Sequence, residues 1–78
     1  MNGFPKREIV QALKQKYPAE TRVELIIMDD PCNKTLIPGD KGTVNFVDDI
    51  GSVHVSWDNG SSLAVVYGED IIKIIQEA

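Results

Sequence analysis

Residues 52–66 read SVHVSWDNGSSLAVV, two alternating runs on either side of Asp58-Asn59-Gly60. Alternation gives a strand one apolar face, and Asn-Gly supplies the positive φ of a tight turn, so the stretch predicts a β-hairpin. The same residues decide its register. A two-residue loop at Asn59-Gly60 sets Trp57 opposite Ser62 and Val55 opposite Ala64, and mixes apolar with polar side chains on both faces. A three-residue loop over Asp58, Asn59 and Gly60, with Gly60 in the left-handed region, sets Val55 opposite Leu63 and Val53 opposite Val65. One face is then Val53, Val55, Trp57, Leu63 and Val65. A one-residue slip exchanges the faces, so the apolar pattern selects the second register.

Three more strands complete the pattern. RVELIIM, from Arg22 to Met28, places Val23, Leu25 and Ile27 on one face. TVNFV, from Thr43, places Val44 and Phe46 together. The following DDIG reads as a four-residue loop, pairing Val47 with Ser52, Phe46 with Val53 and Val44 with Val55. DIIKII, from Asp70, sets Ile72 and Ile74 on one face and Ile71, Lys73 and Ile75 on the other. The connection over residues 29–42 contains Pro38-Gly39, the signature of a type II turn. Gly42, Gly51 and Gly60 read as turn and bulge positions, and Gly39 as the turn glycine of the long connection.

Before the strands, Pro5 suits the first turn of a helix, and KREIVQALKQK carries Ile9, Val10 and Leu13 on one stripe, extended by Tyr17. Pro18 disfavours α geometry at Tyr17, so the helix is expected to end near Lys16. At about three turns it is marginal alone and must dock. The side chains surplus to the sheet interior, Ile26, Met28, Ile71 and Ile75, are its expected seat. The prediction is mainly β: a five-stranded, partly open barrel (residues 18–78) with a short N-terminal helix (residues 1–17) packed on it. With 78 residues the chain is a single domain.

These residues also resemble a known family. YPAETRVELIIMDDP, IPGDKGTVNFVDDIGSVHVSWDNGSSLAVVYGED and IIKII resemble the bacterial family described as domain of unknown function 4314. The resemblance implies an SH3-like barrel, often encoded near mobile elements, and implies no activity. GTVNFVDDIGSVHVSWDNGSS is in addition similar to mind-bomb-type SH3-like domains of ubiquitin ligases, which bind peptides. That similarity covers only the central hairpins and transfers no binding residue.

Charge narrows the function classes. Residues 1–16 carry four basic side chains against one acid, net +3, whereas residues 17–78 carry four against eleven, net −7. A body that gripped phosphates would carry the opposite sign. One Cys and one His exclude an internal disulfide and are too few for a structural zinc site. The lone cysteine and the lack of a signal-like or long apolar run lead us to expect a cytoplasmic protein in a reducing compartment. No metal or cofactor is expected. The Asp pairs at 29–30 and 48–49 read as turn chemistry, since no calcium-loop spacing occurs.

Catalysis is not expected: Cys32 and His54 lie on separate elements, and nothing converges on them. The residues nominated for binding are Trp57, Tyr67, Asp30, Asp58 and Asn59. Trp57 has two readings, floor of a ligand groove or cover of the barrel end over Val55 and Val44, and the core reading is preferred. The expected function is a monomeric protein- or peptide-binding adaptor, with a basic segment favoured by the acidic body. Its ligand would lie between the 29–42 loop and the 58–60 turn, or along a sheet edge. The alternatives are a nucleic-acid-binding module that uses the basic helix, or an acidic mimic of nucleic acid.

Overall fold

The computed structural model describes residues 6–28 and 36–76. Helix α1 spans Arg7–Lys16, followed by strands β1 (Arg22–Ile27), β2 (Lys41–Val47), β3 (Ser52–Trp57), β4 (Ala64–Val66) and β5 (Ile71–Ile74). They form one antiparallel sheet in the order β4-β3-β2-β1-β5. The ends of that order, β4 and β5, are not paired with each other, so the curled sheet is not closed. This is the expected partly open architecture.

The second hairpin follows the three-residue register. Val53 lies opposite Val65, and His54 opposite Ala64. Trp57 N–H donates to Ser61 O at 2.9 Å, Gly60 N–H donates to Trp57 O at 2.9 Å, and Gly60 has φ +95°. The first hairpin repeats this geometry. Asp48 N–H donates to Ser52 O at 3.0 Å, Gly51 N–H donates to Asp48 O at 3.1 Å, and Gly51 has φ +86°. Its loop is therefore three residues, Asp49 to Gly51, rather than the expected four.

The shorter loop corrects two expected pairs: Phe46 faces His54 and Val47 faces Val53. Val44 still faces Val55, because the register shifts by one at Asn45, between Val44 and Phe46. Such a bulge leaves one residue outside the ladder and resets the alternation. Phe46 is therefore 54% exposed, while Val47 is buried. A second shift, between Leu25 and Ile27, acts alike on β1: Ile27 faces solvent and Met28 packs against the core. The expected inward positions of Phe46 and Ile27 are corrected by these two bulges.

The core lies on the concave side and joins Val23, Leu25, Leu36, Val44, Val47, Val53, Val55, Trp57 and Val65 with Tyr17 of the helix end. Gly42 is neither turn nor bulge. It sits inside β2, where a Cβ would meet Val55 Cγ1 at 2.6 Å and Ser56 O at 2.9 Å. The crossing of β2 and β3 is too close for a side chain there.

Helix α1 ends as the sequence dictates: Tyr17, before Pro18, has φ −122° and ψ 66°, and its N–H donates to Leu13 O. Pro5 lies outside the described residues. The docking site of the helix differs from expectation. Tyr17 joins the core, Leu13 packs against it, and both border the opening that Val53, Val65 and Ile72 also line. The helix stripe thus covers the concave side where the sheet fails to close. An ion pair of Lys14 Nζ with Asp49 Oδ1 at 2.7 Å ties the helix to the first hairpin.

Candidate functional site

The nominated residues that the structure describes do not converge on one place. Trp57 is 3% exposed, and its indole Nε1–H donates to Leu63 O at 2.9 Å, so the ring closes the barrel end. Asp58 makes a two-pronged pair with Arg22, at 2.8 Å from Nη1 and 2.7 Å from Nη2, while Nη1 also donates to Thr43 Oγ1 at 2.9 Å. The Arg22 hydrogen bond, aided by the charges of Arg22 and Lys41, holds the Asp58 carboxyl below its usual range against a small desolvation effect. Asn59 Oδ1 accepts from Ser61 N–H at 2.9 Å and fixes the turn. Asp30 and Cys32 lie outside the described residues, as does half of the loop expected to wall a groove with the 58–60 turn, residues 29–35. Tyr67 is 49% exposed and lies elsewhere, in the turn between β4 and β5.

Tyr67 borders the clearest concavity. Between the unpaired strands β4 and β5 is an open cleft of about 340 Å³, lined by Leu13, Tyr17, Val53, Val65, Tyr67 and Ile72. Its position follows from the local sequence. The alternation of β3 and β4 aims Val53 and Val65 inward, and the helical spacing of Leu13 and Tyr17 brings them down on the same opening. Lys16 and Asp70 also border the cleft, and the Lys16 ammonium stands 5.3 Å from the centroid of the Tyr17 ring.

The two strands flanking this cleft end differently. At β4, Val66 N–H donates to Asp70 Oδ2 at 3.0 Å, and Val66 O accepts from the N–H groups of Glu69 at 3.1 Å and Asp70 at 3.0 Å. The turn that follows β4 thus occupies the Val66 end of its outer edge. At β5, Ile75 N–H donates to Arg22 O at 3.0 Å, which fixes the ladder phase. In that phase Lys73 exchanges hydrogen bonds with Glu24, and the N–H and C=O groups of Ile72 and Ile74 point away from β1. Among the described residues no strand pairs with that edge.

A second cluster lies on the convex face. His54 Nε2 and Asp48 Oδ2 are 2.8 Å apart, and the His54 ring stacks on Phe46 with centroids 4.3 Å apart. Asp48 Oδ1 accepts from the N–H groups of Ile50 at 3.1 Å and Ser52 at 2.9 Å. Burial works to raise the Asp48 pKa. The hydrogen bonds from His54, Ser52 and Ile50 outweigh it and leave the carboxyl below its ordinary value. A His–Asp pair can move a proton, but the Ser56 hydroxyl on this face is engaged by Asn45 Nδ2 at 2.8 Å. Asp48 serves the hairpin, holding three groups of its own turn. Among the described residues no group of three or more side chains could hold a metal ion.

The cleft was hidden in the sequence because it is built from four separated segments. Its one sequence signal is Tyr67, nominated for binding and found at the border of the cleft. Fold and cleft together define a small mainly-β domain whose unclosed side is covered in part by its own N-terminal helix. The family model described as Domain of unknown function (DUF4314) matches residues 6–75, and the chain belongs to that family. No curated protein matches the chain. No helix among the described residues is long and apolar enough to cross a membrane.

Proposed function

We propose that this protein is a non-enzymatic binding module that docks a short polypeptide segment of another protein. The observation that carries this reading is the apolar cleft between β4 and β5, with half-exposed Tyr67 at its border. A concave, largely apolar site with a few polar groups at its border is the usual form of a recognition pocket. The binding residues proposed are Tyr67, Leu13 and Ile72. Trp57, Asp58 and Asn59 support the neighbouring hairpin. The module works as a monomer in the cytoplasm and takes no cofactor.

Nucleic-acid binding is the reading to be tested against this one. The basic helix face is partly spent within the fold, since Lys14 pairs with Asp49 and Lys16 lies over the Tyr17 ring. The body retains its net −7 over residues 17–78. The deciding experiment is selection from a displayed library of random twelve-residue peptides, alongside titration with mixed-sequence single- and double-stranded DNA and RNA at physiological salt. The proposal expects selected peptides that lose binding on Tyr67→Arg while circular dichroism stays unchanged. Tight nucleic-acid binding that is lost on Lys6→Ala/Arg7→Ala, with no peptide selected, would overturn it.

A further inference from the structure

We infer that the ligand adds to the sheet as a sixth strand on the outer edge of β5. We further infer that it is an extended segment with apolar residues at alternate positions, flanked by Lys or Arg. This rests on the polypeptide-binding reading and names its mode and ligand chemistry.

The contrast between the two sheet ends carries the inference. Exposed edges template pairing with other chains, and folded proteins blunt them. The β4 edge is blunted at Val66, where Asp70 takes the N–H and the turn amides take the carbonyl, which leaves Ala64 as its one outward-facing residue. The β5 edge presents the N–H and C=O groups of Ile72 and Ile74 outward, two residues apart. An incoming strand that pairs with these groups has residues opposite Ile72 and Ile74. Ile72 faces Leu25 across the ladder, and Ile74 faces Val23, both core positions. The ligand side chain opposite Ile72 therefore points into the cleft beside Leu13 and Tyr17, and the one opposite Ile74 lies on the same side against the half-exposed Ile74, so both are apolar. The residue between them points outward, on the side of Lys73, and is polar.

Charge selects the flanks. Lys73 lies within the strand, and two acids, Glu69 and Asp70, stand immediately before it. Basic residues at the ends of the ligand complement them. Area argues against a second copy as the occupant. Two four-residue β5 strands would meet over about 13 Å. That is too short for the roughly 800 Å² per partner of a stable interface.

The test uses the full chain and a synthetic seven-residue peptide that alternates valine and threonine between terminal lysines. Four companions are compared by fluorescence anisotropy: two N-methylated at alternate backbone positions, one in each phase, one with glutamate in place of both lysines, and one scrambled. Binding of the parent peptide is expected to weaken at least tenfold on N-methylation in one of the two phases, and on exchange of lysine for glutamate. Ile74→Pro removes an outward N–H that β1 does not use, so it should abolish binding in a folded protein, while Ile74→Val should retain it. Binding that is lost on Tyr67→Arg, yet indifferent to N-methylation in both phases and to Ile74→Pro, would overturn strand addition and leave polypeptide binding standing. Failure of every peptide, including any selected from the random library, would overturn both. A concentration-dependent dimer abolished by Ile74→Pro would assign the edge to a second copy and overturn the ligand named here.

Discussion

Gly42→Ala tests how closely β2 crosses β3. A Cβ on Gly42 would lie 2.6 Å from Val55 Cγ1, 2.9 Å from Ser56 O and 3.0 Å from Trp57 Cα. Two of these three atoms are backbone and cannot swing away. The third belongs to a valine that is 1% exposed and surrounded by core, and β-branched side chains are stiff at χ1. The strands must therefore separate. Overpacking of this kind costs about 1–3 kcal/mol. Loss of glycine freedom in the unfolded chain returns about 0.4–1 kcal/mol. The net expectation is a loss of about 1–2 kcal/mol, or a fall in Tm of roughly 4–15 °C for a domain of this size. Thermal and urea unfolding should be followed by circular dichroism and by the fluorescence of Trp57, whose Cα borders the crossing. Adding Val55→Ala to Gly42→Ala removes one clash but neither backbone clash, so the double variant should show only partial coupling. A Gly42→Ala protein as stable as the parent would refute the close crossing.

Other substitutions test the turns, the helix and the convex cluster. Gly60→Ala should cost about 1 kcal/mol from positive φ alone, because nothing lies within 4 Å of its added Cβ. Urea midpoints at constant m-value would measure this, and Gly51→Ala should behave alike if the two loops are equivalent. Leu13→Ala should cost about 1–2 kcal/mol, below the usual loss for a fully buried leucine, since Leu13 is only half-buried. An unchanged melting temperature would mean that the helix is not seated on the core. Asp48→Ala should cost about 1–2 kcal/mol by depriving the Ile50 and Ser52 amides of their acceptor. The Asp48 pKa is lowered on folding, so its contribution is complete above the ordinary carboxyl value of 3.8 and is lost as pH falls through the lower folded value. The gap in stability between the parent and Asp48→Ala should therefore narrow as the pH drops through and below 4. A gap unchanged down to the acid limit would contradict the hydrogen-bonded carboxylate.

Much of the sheet was legible because alternation and turn chemistry agree. Val53, Val55, Leu63 and Val65 admit one clean register around Gly60, and the structure adopts it. Pro18 after Tyr17 stops the helix where a pre-proline residue must leave α geometry. What the sequence hid are the two bulges. A bulge adds one residue without changing composition, so Phe46 and Ile27 remain in step with Val44 and Leu25 on paper and fall out of step in the sheet. The first hairpin shows why such an error can stay local. Its loop is one residue shorter than DDIG suggested, the bulge at Asn45 absorbs the difference, and Val44 meets Val55 as expected.

The site was less legible for a related reason. Trp57 drew attention as the only tryptophan, yet a strand-end tryptophan beside a turn finds a carbonyl for its N–H and serves the core. The cleft depends instead on what is unpaired, and pairing is a property of the whole sheet. Tyr67 alone among the nominated residues that the structure describes borders it. Asp70, read from the sequence as the start of a strand, is the group that caps Val66 at the end of β4, and among the described residues no strand pairs with β5 on its outer side.

The most direct test of the binding account is residue-resolved amide hydrogen exchange of the full chain, with and without the lysine-flanked valine–threonine peptide. The account predicts slowed exchange at the Ile72 and Ile74 amides, which point away from β1, while the Lys73 amide, already committed to Glu24, changes little. Protection confined to Lys6, Arg7 and the rest of the helix face, with Ile72 and Ile74 unaltered, would contradict it.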